Sequence, residues 1–503
     1  MNGIISIIGG LFSLKTLIAI NAGLFVGIII GALPGLSATM GVALLMPLTF
    51  SLDTVTALVL LLGVYCGGIY GGSITAILIK TPGTPASAAT ALDGYPLAQE
   101  GRAGLALDLA LKASAFGGVV SALILLLVAE RISRFALKFA APEYFSLALF
   151  GLTIIASISG KNQIKGLIAG MLGLLIGCVG MDPINGTNRF VFGITELLRG
   201  IGVIPAMVGL FAITEIMNKS RAVVEGELKM SNFSNKGIPN RTFWKMWPNL
   251  LRSSLIGTVI GAIPGTGAVT ASFLAYNEAK RASKAPEQFG RGSLEGIAAS
   301  EAANNGVTGA TLIPLLTLGI PGDTVTAILL GAFLMQGISP GPSLISSRPE
   351  IVYTIMVSMI AINLFMVLQG KFFVRIFARV IKIPAALLVP LLITLCVIGS
   401  YACNNSIFDV KLAILFGLVG YVLSKLDIPL TPMVIAIVLG GIAESNLRRG
   451  VAMASGSYSI FFTRPISLFF ILVSIVSLCY PTIRRFIHYC RRKKGDGVPL
   501  AGR

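Results

Sequence analysis

Apolar residues along this chain fall into long uninterrupted runs, without the alternation of a half-buried strand or the stripe of a surface helix. Ile18 to Ile30, Thr54 to Val64, Leu105 to Val128, Ile355 to Leu368 and Ile466 to Leu478 carry few or no charges. A helix needs roughly 20 such residues to cross a bilayer core, where it satisfies its own backbone polar groups. About a dozen runs of this kind can be marked out, several shortened or interrupted by Gly and Pro. The expected fold class is all-α and polytopic, with about 10–14 transmembrane or re-entrant segments and broken helices.

The longest polar stretch, Asn218 to Trp247, carries Lys219, Arg221, Lys229, Lys236, Arg241 and Lys245 against Glu225 and Glu227. It divides the chain into an expected first half at 1–217, a cytoplasmic linker at 218–249, a second half at 250–483 and a basic tail at 484–503. The halves repeat one another. Gly31-Ala32-Leu33-Pro34-Gly35 returns as Gly261-Ala262-Ile263-Pro264-Gly265, an offset of 230 residues (31 to 261). Thr81-Pro82-Gly83-Thr84-Pro85 returns as Ile320-Pro321-Gly322-Asp323-Thr324, an offset of 239 (82 to 321). The extra residues are expected in a charged loop, Asn277 to Leu294, present only in the second half.

A Pro-Gly step in an apolar run ends one helical segment and lets another begin, since Pro removes a donor and Gly accepts unusual dihedrals. The freed groups must meet protein, water or ligand. N–H groups at a helix start favour an anion, and carbonyls at a helix end favour a cation. Four breaks, two per half, thus form an expected substrate site: Pro34, Gly35, Ser37 and Thr39; Pro82, Gly83 and Thr84; Pro264, Gly265, Thr266 and Gly267; Pro321, Gly322 and Thr324. Ser87, Thr270 and Thr326 follow the same pattern, although such hydroxyls also bond back to their own helix. Gly72 and Ser73, at the end of a glycine-rich string, and the uncharged amides of Asn304 and Asn305 precede the second break of each half. Close helix packing is the competing reading for the glycines. Glu301 lies one turn from the asparagines and is open to either a site or a loop role, whereas Asp93, in Asp93-Gly94-Tyr95-Pro96, reads as a turn residue.

Composition narrows the alternatives. Hydrophobic residues make up 55% and charged residues 12% of the 503, and Gly (58) and Pro (24) are abundant, which suits broken membrane helices. The net charge of +18 lies in short loops and in a terminal cluster, Arg484, Arg485, Arg491, Arg492, Lys493 and Lys494, as the positive-inside rule expects of cytoplasmic segments; nucleic acid is not an expected partner. The only histidine, His488, sits in that tail, which excludes His-ligated metal sites and Ser/His catalysis. The six cysteines form no CxxC pair and read mostly as small hydrophobes. No GxxxxGK[ST] string is present to bind ATP, and an aspartyl hydrolase would need a partner for Asp323 from Asp182 or Asp409, which read as loop residues. A non-enzymatic function is expected. Met1 to Leu14 lacks the cationic region of a cleaved signal and is expected to stay as a first segment.

The strings Gly31 to Phe50, Tyr70 to Gly104 with its PGTPASAATALDGYPLA core, and Gly261 to Pro342 with EGIAASEAANNG and LGIPGD resemble the large membrane subunit of the tripartite tricarboxylate transporters. The resemblance implies uptake of an organic carboxylate, of the di- or tricarboxylate class, across a bacterial inner membrane. It also implies a sodium ion or proton as coupling ion, no other cofactor, a small membrane subunit and a periplasmic solute-binding protein as partners, and inverted repeats that move in an elevator-like way. The C-terminus is expected in the cytoplasm. Pro34-Gly35, Pro82-Gly83-Thr84, Pro264-Gly265, Asn304-Asn305 and Pro321-Gly322 match the family's motifs. Lys80 and Asp323 depart from them, standing where asparagine and serine are more usual. They flank equivalent breaks, where an ion pair that bears on ion coupling is one reading; the competing readings are that Lys80 reaches out to an interface and that Asp323 caps the helix beginning near Thr324.

Overall fold

The structure is a computed structural model of the 503-residue chain, and it describes residues 13–33, 36–158, 163–182, 185–219, 237–380 and 385–478. Among these, six helices are long and apolar enough to cross a membrane: Leu14–Ala32, Thr54–Ile79, Ala103–Ala136, Pro349–Val374, Ile407–Lys425 and Leu430–Met453. Six shorter apolar helices accompany them. Apart from a two-residue antiparallel ladder, Gly180 with Arg189 and Met181 with Asn188, the described secondary structure is helical. The chain is thus an all-α polytopic membrane protein.

In the first half, α1 (Leu14–Ala32) is capped by Ser13, whose Oγ accepts the Thr16 N–H at 3.1 Å. It is followed by the short α2 (Ala38–Leu45), then α3 (Thr54–Ile79), capped by Asp53, then α4 (Ala88–Gln99) and α5 (Ala103–Ala136). In the second half the corresponding helices are α6 (Trp247–Ala262), α7 (Gly267–Ala282), α8 (Leu294–Ala310) with its continuation α9 (Leu312–Leu318), and α10 (Thr324–Met335). The apolar window of α3 is 94% buried, whereas α1 and α5 are half exposed. α3 is therefore apolar on every side because protein surrounds it, and α1 and α5 keep faces free for lipid.

Glycines set how these helices meet. A Cβ on Gly27 would lie 2.5 Å from the Val64 carbonyl oxygen, and one on Gly31 would lie 2.2 Å from that of Gly68. The second half repeats the crossing: a Cβ on Gly257 would lie 2.3 Å from the Ala303 carbonyl oxygen, and one on Gly261 would lie 3.0 Å from the Val307 Cα. The residues on α1 and α6 are related by the offset of 230 and those on α3 and α8 by 239. Residue numbers rise together along α1 and α3, so these helices run parallel and α2 returns between them; α6, α7 and α8 do the same. Between the halves the sense is opposite. Tyr65 on α3 meets Thr311 at the end of α8 (3.3 Å), while Ser73, further along α3, meets Glu301, earlier on α8 (2.6 Å). α3 and α8 are antiparallel.

The chain divides into two compact units, one of residues 1–138 and 190–426 and the other of residues 139–189 and 427–503. The units do not coincide with the sequence halves; each draws on both, since helices of the two halves pack directly on one another within the first unit. In the second unit, Asp182 is buried and ion-paired with Arg448 (3.0 Å) and with Arg189, which also reaches Glu444 (2.7 Å). Buried Glu143 there pairs with Arg464.

Several boundaries differ from expectation. The polar linker ends early: Asn240–Lys245 is helical and α6 begins at Trp247, with Pro248 favoured in its first turn, while residues 220–236 lie outside the described residues. The extra second-half loop is partly helix, because α7 continues to Ala282 before a short 3₁₀ turn, Pro286–Gln288. Asp409 is no loop residue; it lies buried in the first turn of Ile407–Lys425 and pairs with Arg199 at 3.2 Å. The expected first segment before Ser13, the basic tail and His488 lie outside the described residues.

Candidate functional site

The second break of each half has the same backbone construction. α3 ends at Lys80 in the left-handed conformation (φ 59°, ψ 18°), and α9 ends at Gly319 (φ 73°, ψ 18°). After Pro82-Gly83 the chain is extended at Thr84, with Ser87 bonding back to it; after Pro321-Gly322 it is extended at Asp323, with Thr326 bonding back. Gly83 and Gly322 do not need a positive φ; they are needed for close approach. A Cβ on Gly83 would lie 2.2 Å from the Gly31 carbonyl oxygen and 2.7 Å from the Gly72 Cα, and one on Gly322 would lie 2.8 Å from the Thr311 Cα. Gly72 and Thr311 are themselves related by the offset of 239, so each break folds back onto the same turn of its own long helix. The Gly83 N–H donates to the Gly72 carbonyl at 3.1 Å.

The third break joins the fourth. Gly265, at φ +85°, donates its N–H to the Gly322 carbonyl at 2.7 Å, and Gly267 starts α7 at φ +68° with no atom within 4 Å of an added Cβ. Gly265 and Gly267 thus do require glycine's conformational freedom. The Thr266 hydroxyl closes the end of the preceding helix, donating to the Ile263 carbonyl that caps α6 at 2.9 Å, whereas Thr326 bonds back to the start of its own helix, donating to the Asp323 carbonyl at 3.0 Å. Pro34 and Gly35, the first break, lie outside the described residues. Ser37 caps α2, accepting the Met40 N–H at 3.2 Å, and Thr39 is half-buried in the first turn of that helix. Thr324 is half-buried at the start of α10.

The asparagines are the most telling residues. Both are fully buried on α8, and neither the Oδ1 nor the Nδ2 of Asn304 has a hydrogen-bond partner among the described residues. Asn305 donates to the Glu301 carbonyl at 3.3 Å but its Oδ1 is unpartnered. The Thr84 Oγ1, 3% exposed as a residue, and the Tyr70 hydroxyl are likewise buried without partners. Unsatisfied buried polar atoms cost about 1–3 kcal/mol each, so the Asn304 amide on α8 and the Thr84 hydroxyl at the second break are groups that a polar guest would satisfy. Tyr70 also lines a cavity of about 520 Å³ with Asp108, Lys112 and Lys371.

Glu301 faces inward. Its carboxylate, fully buried, accepts from the hydroxyls of Ser73 (2.6 Å), Ser114 (2.7 Å) and Thr90, the last of which also meets Ser300 (3.0 Å). Among the described residues it has no basic partner. Four helices, α3, α4, α5 and α8, thus converge on one carboxylate one turn from Asn304.

Lys80 and Asp323 do not pair. The exposed Lys80 ammonium lies 5.6 Å from the centroid of the Tyr95 ring, whereas the half-buried Asp323 caps α10, its Oδ1 accepting the Thr326 N–H at 2.8 Å. Its Oδ2 accepts from the buried Tyr65 hydroxyl at 2.7 Å. The left-handed turn directs the Lys80 side chain outward, where a cation can stack on an aromatic face without desolvation. Nor is Asp93 a turn residue. It is fully buried within α4, and its Oδ1 accepts the N–H groups of Gly290, Gly292 and Ser293, tying down the loop before α8.

Sequence reasoning missed Tyr65, Tyr70 and Ser114, which lie in helix interiors away from any break, and Thr90, in the first turn of α4 just after the second break. Tyr65 had a signal: the offset of 239 carries it onto Asn304.

A family model described as "Tripartite tricarboxylate transporter TctA family" matches residues 17–435. An uncharacterized 52.8 kDa protein in the TAR-I ttuC' 3' region of Agrobacterium vitis is 38% identical over 465 residues, covering 92% of this chain and 93% of the relative. A protein in the TAR-II ttuC' 3' region of the same organism is 38% identical over 231 residues, 45% of this chain and 96% of the relative. No solved structure matches the chain.

Proposed function

The chain belongs to the tripartite tricarboxylate transporter TctA family, and from that premise we propose that it is the large subunit of a secondary transporter importing an organic carboxylate of the di- or tricarboxylate class. A small membrane subunit and a periplasmic solute-binding protein act with it in a bacterial inner membrane, with the C-terminus in the cytoplasm, and a sodium or proton gradient drives uptake. The observation that carries the reading is the buried, unpartnered amide of Asn304 beside a helix break that is built twice. A substrate carboxylate accepts from the Asn304 Nδ2, the Thr84 hydroxyl and the N–H groups that open the segment leading into α4.

For the coupling ion, Glu301 is a better candidate than Lys80 or Asp323. It presents two carboxylate oxygens ringed by three hydroxyls and no fixed cation, an all-oxygen set that suits a proton or a sodium ion. Asp323 has its oxygens committed to the α10 cap and Tyr65.

The test is reconstitution of this chain with its small partner and binding protein in proteoliposomes, with sodium and proton gradients imposed separately over a labelled carboxylate panel. Saturable uptake of one carboxylate under one gradient is expected, with poor uptake by the chain alone. Uptake that follows neither gradient, or none of any carboxylate, contradicts the proposal.

A further inference from the structure

A polar cavity of about 520 Å³ lies where α3, α5 and the helix Pro349–Val380 meet the segment that leads out of the linker. Asp108 and Lys112, one turn apart on α5 and ion-paired at 2.9 Å, clasp that segment by both backbone groups of Ile238. Asp108 accepts the Ile238 N–H at 2.9 Å, and Lys112 donates to the Ile238 carbonyl at 3.2 Å and to the Asn240 Oδ1 at 3.1 Å. The Lys112 ammonium thus has its donors engaged and its charge balanced by Asp108. Lys371, on another wall, is exposed and has no ion-pair partner among the described residues. Its neighbour Gly370 holds that helix close to α5, since an added Cβ would lie 2.4 Å from the Leu111 Cδ1. The described ionisable walls therefore leave one positive charge uncompensated, that of Lys371.

The most deeply buried polar group lining the cavity is the Tyr70 hydroxyl, which has no hydrogen-bond partner among the described residues. Tyr70 shares a face of α3 with Ser73, one turn on, as Glu301 shares a face of α8 with Asn304. Because α3 and α8 are antiparallel and Ser73 bonds Glu301 at 2.6 Å, Tyr70 stands level with Asn304. The carboxylates of Glu301 and Asp108 both act electrostatically on the Tyr70 hydroxyl, so Tyr70 sits between the candidate site and the cavity. A free hydroxyl donor and an excess of positive charge suit an anion and disfavour a coupling cation. We propose that the cavity is a second subsite for the substrate's carboxylate, recognised by the Tyr70 hydroxyl and the Lys371 ammonium, through which substrate passes between Asn304 and the linker side of the membrane. This rests on the reading of Asn304 as a substrate ligand, and the basic residues of the linker make that side the cytoplasm.

Impermeant thiol reagents of opposite charge and similar size read the cavity directly. Leu107→Cys puts a thiol on the α5 wall and Tyr70→Cys a second one at the most buried polar position, with the wild type as background for the native cysteines. Rates with methanethiosulfonate ethylsulfonate, an anion, and methanethiosulfonate ethyltrimethylammonium, a cation, are each divided by the reagent's rate with a free thiol in water. Labelling is expected in inside-out vesicles and not in right-side-out ones, with the anion favoured by about tenfold, a preference that Lys371→Gln reduces and Lys371→Glu inverts. Citrate or succinate is expected to slow labelling of Leu107→Cys, and to protect about tenfold less well when Tyr70→Phe, which keeps the ring and removes only an unpartnered hydroxyl, is added. Labelling that is absent or equal from the two sides in both cysteine variants, equal rates for the two charges, or no protection by either carboxylate overturns the proposal. The reading of Asn304 fails separately, with the labelling pattern intact, if Asn304→Leu transports as the wild type does.

Discussion

Two residues show how a buried or strained position is decided by its immediate partners. Asp93 accepts three backbone N–H groups on one oxygen, that of the buried Ser293 among them, so Asp93→Ala strands a buried donor ahead of α8 and is expected to lower stability by about 1–3 kcal/mol, measured as thermal unfolding in detergent. Unchanged stability would contradict its role as an anchor. Lys80 holds a left-handed conformation that its repeat equivalent, Gly319, adopts without steric penalty. Lys80→Gly should therefore raise stability by about 1 kcal/mol, the side-chain penalty of that conformation. A marked loss would mean that the Lys80 ammonium makes an interaction stronger than its contact with Tyr95.

At the scale of helices, glycine acts through distance. Gly31→Val places new atoms against the Gly68 backbone, 2.2 Å from its carbonyl oxygen at the Cβ alone, and should prevent accumulation of folded protein in the membrane; Gly257→Val should do the same against Ala303. Gly170→Ala, where no atom lies within 4 Å of the added carbon, serves as the control and is expected to be neutral or slightly stabilising. Wild-type levels of folded Gly31→Val would refute the crossing. The helix order and the breaks were legible in the sequence because bilayer solvation forces long apolar runs and punctuates them only where Pro and Gly fall. The offsets of 230 and 239 carried further than the motifs themselves, since they also relate the crossing of Gly27 at Val64 to that of Gly257 at Ala303, which no motif includes. The partners of Glu301 were not legible. Ser73, Thr90 and Ser114 are 187 to 228 residues away along the chain, and a hydroxyl that bonds a distant carboxylate looks in sequence like one that bonds its own helix. The reading of Lys80 and Asp323 as a pair failed for the same reason, as spacing along the chain gives the level of a residue but not the direction of its side chain.

For the whole molecule, transport requires that substrate and ion binding be linked, and the structure puts the candidate groups one turn apart on α8, at Glu301 and Asn304. Glu301→Gln keeps the size and most hydrogen bonds of the side chain while removing its charge. Gradient-driven uptake is expected to be lost while exchange of internal for external substrate continues, because exchange needs no net ion movement. Equal gradient-driven uptake by Glu301→Gln and wild type would remove Glu301 from the coupling step. The central claim is that the break beside Asn304 binds the substrate, and the most direct measurement is initial uptake by Asn304→Leu in the reconstituted system, with insertion and thermal stability followed in parallel. Leucine is close to asparagine in size and removes the unpartnered amide, so the variant should be at least as stable as the wild type and yet lose uptake by about 100-fold or more. Full uptake by a stable Asn304→Leu protein would contradict the account.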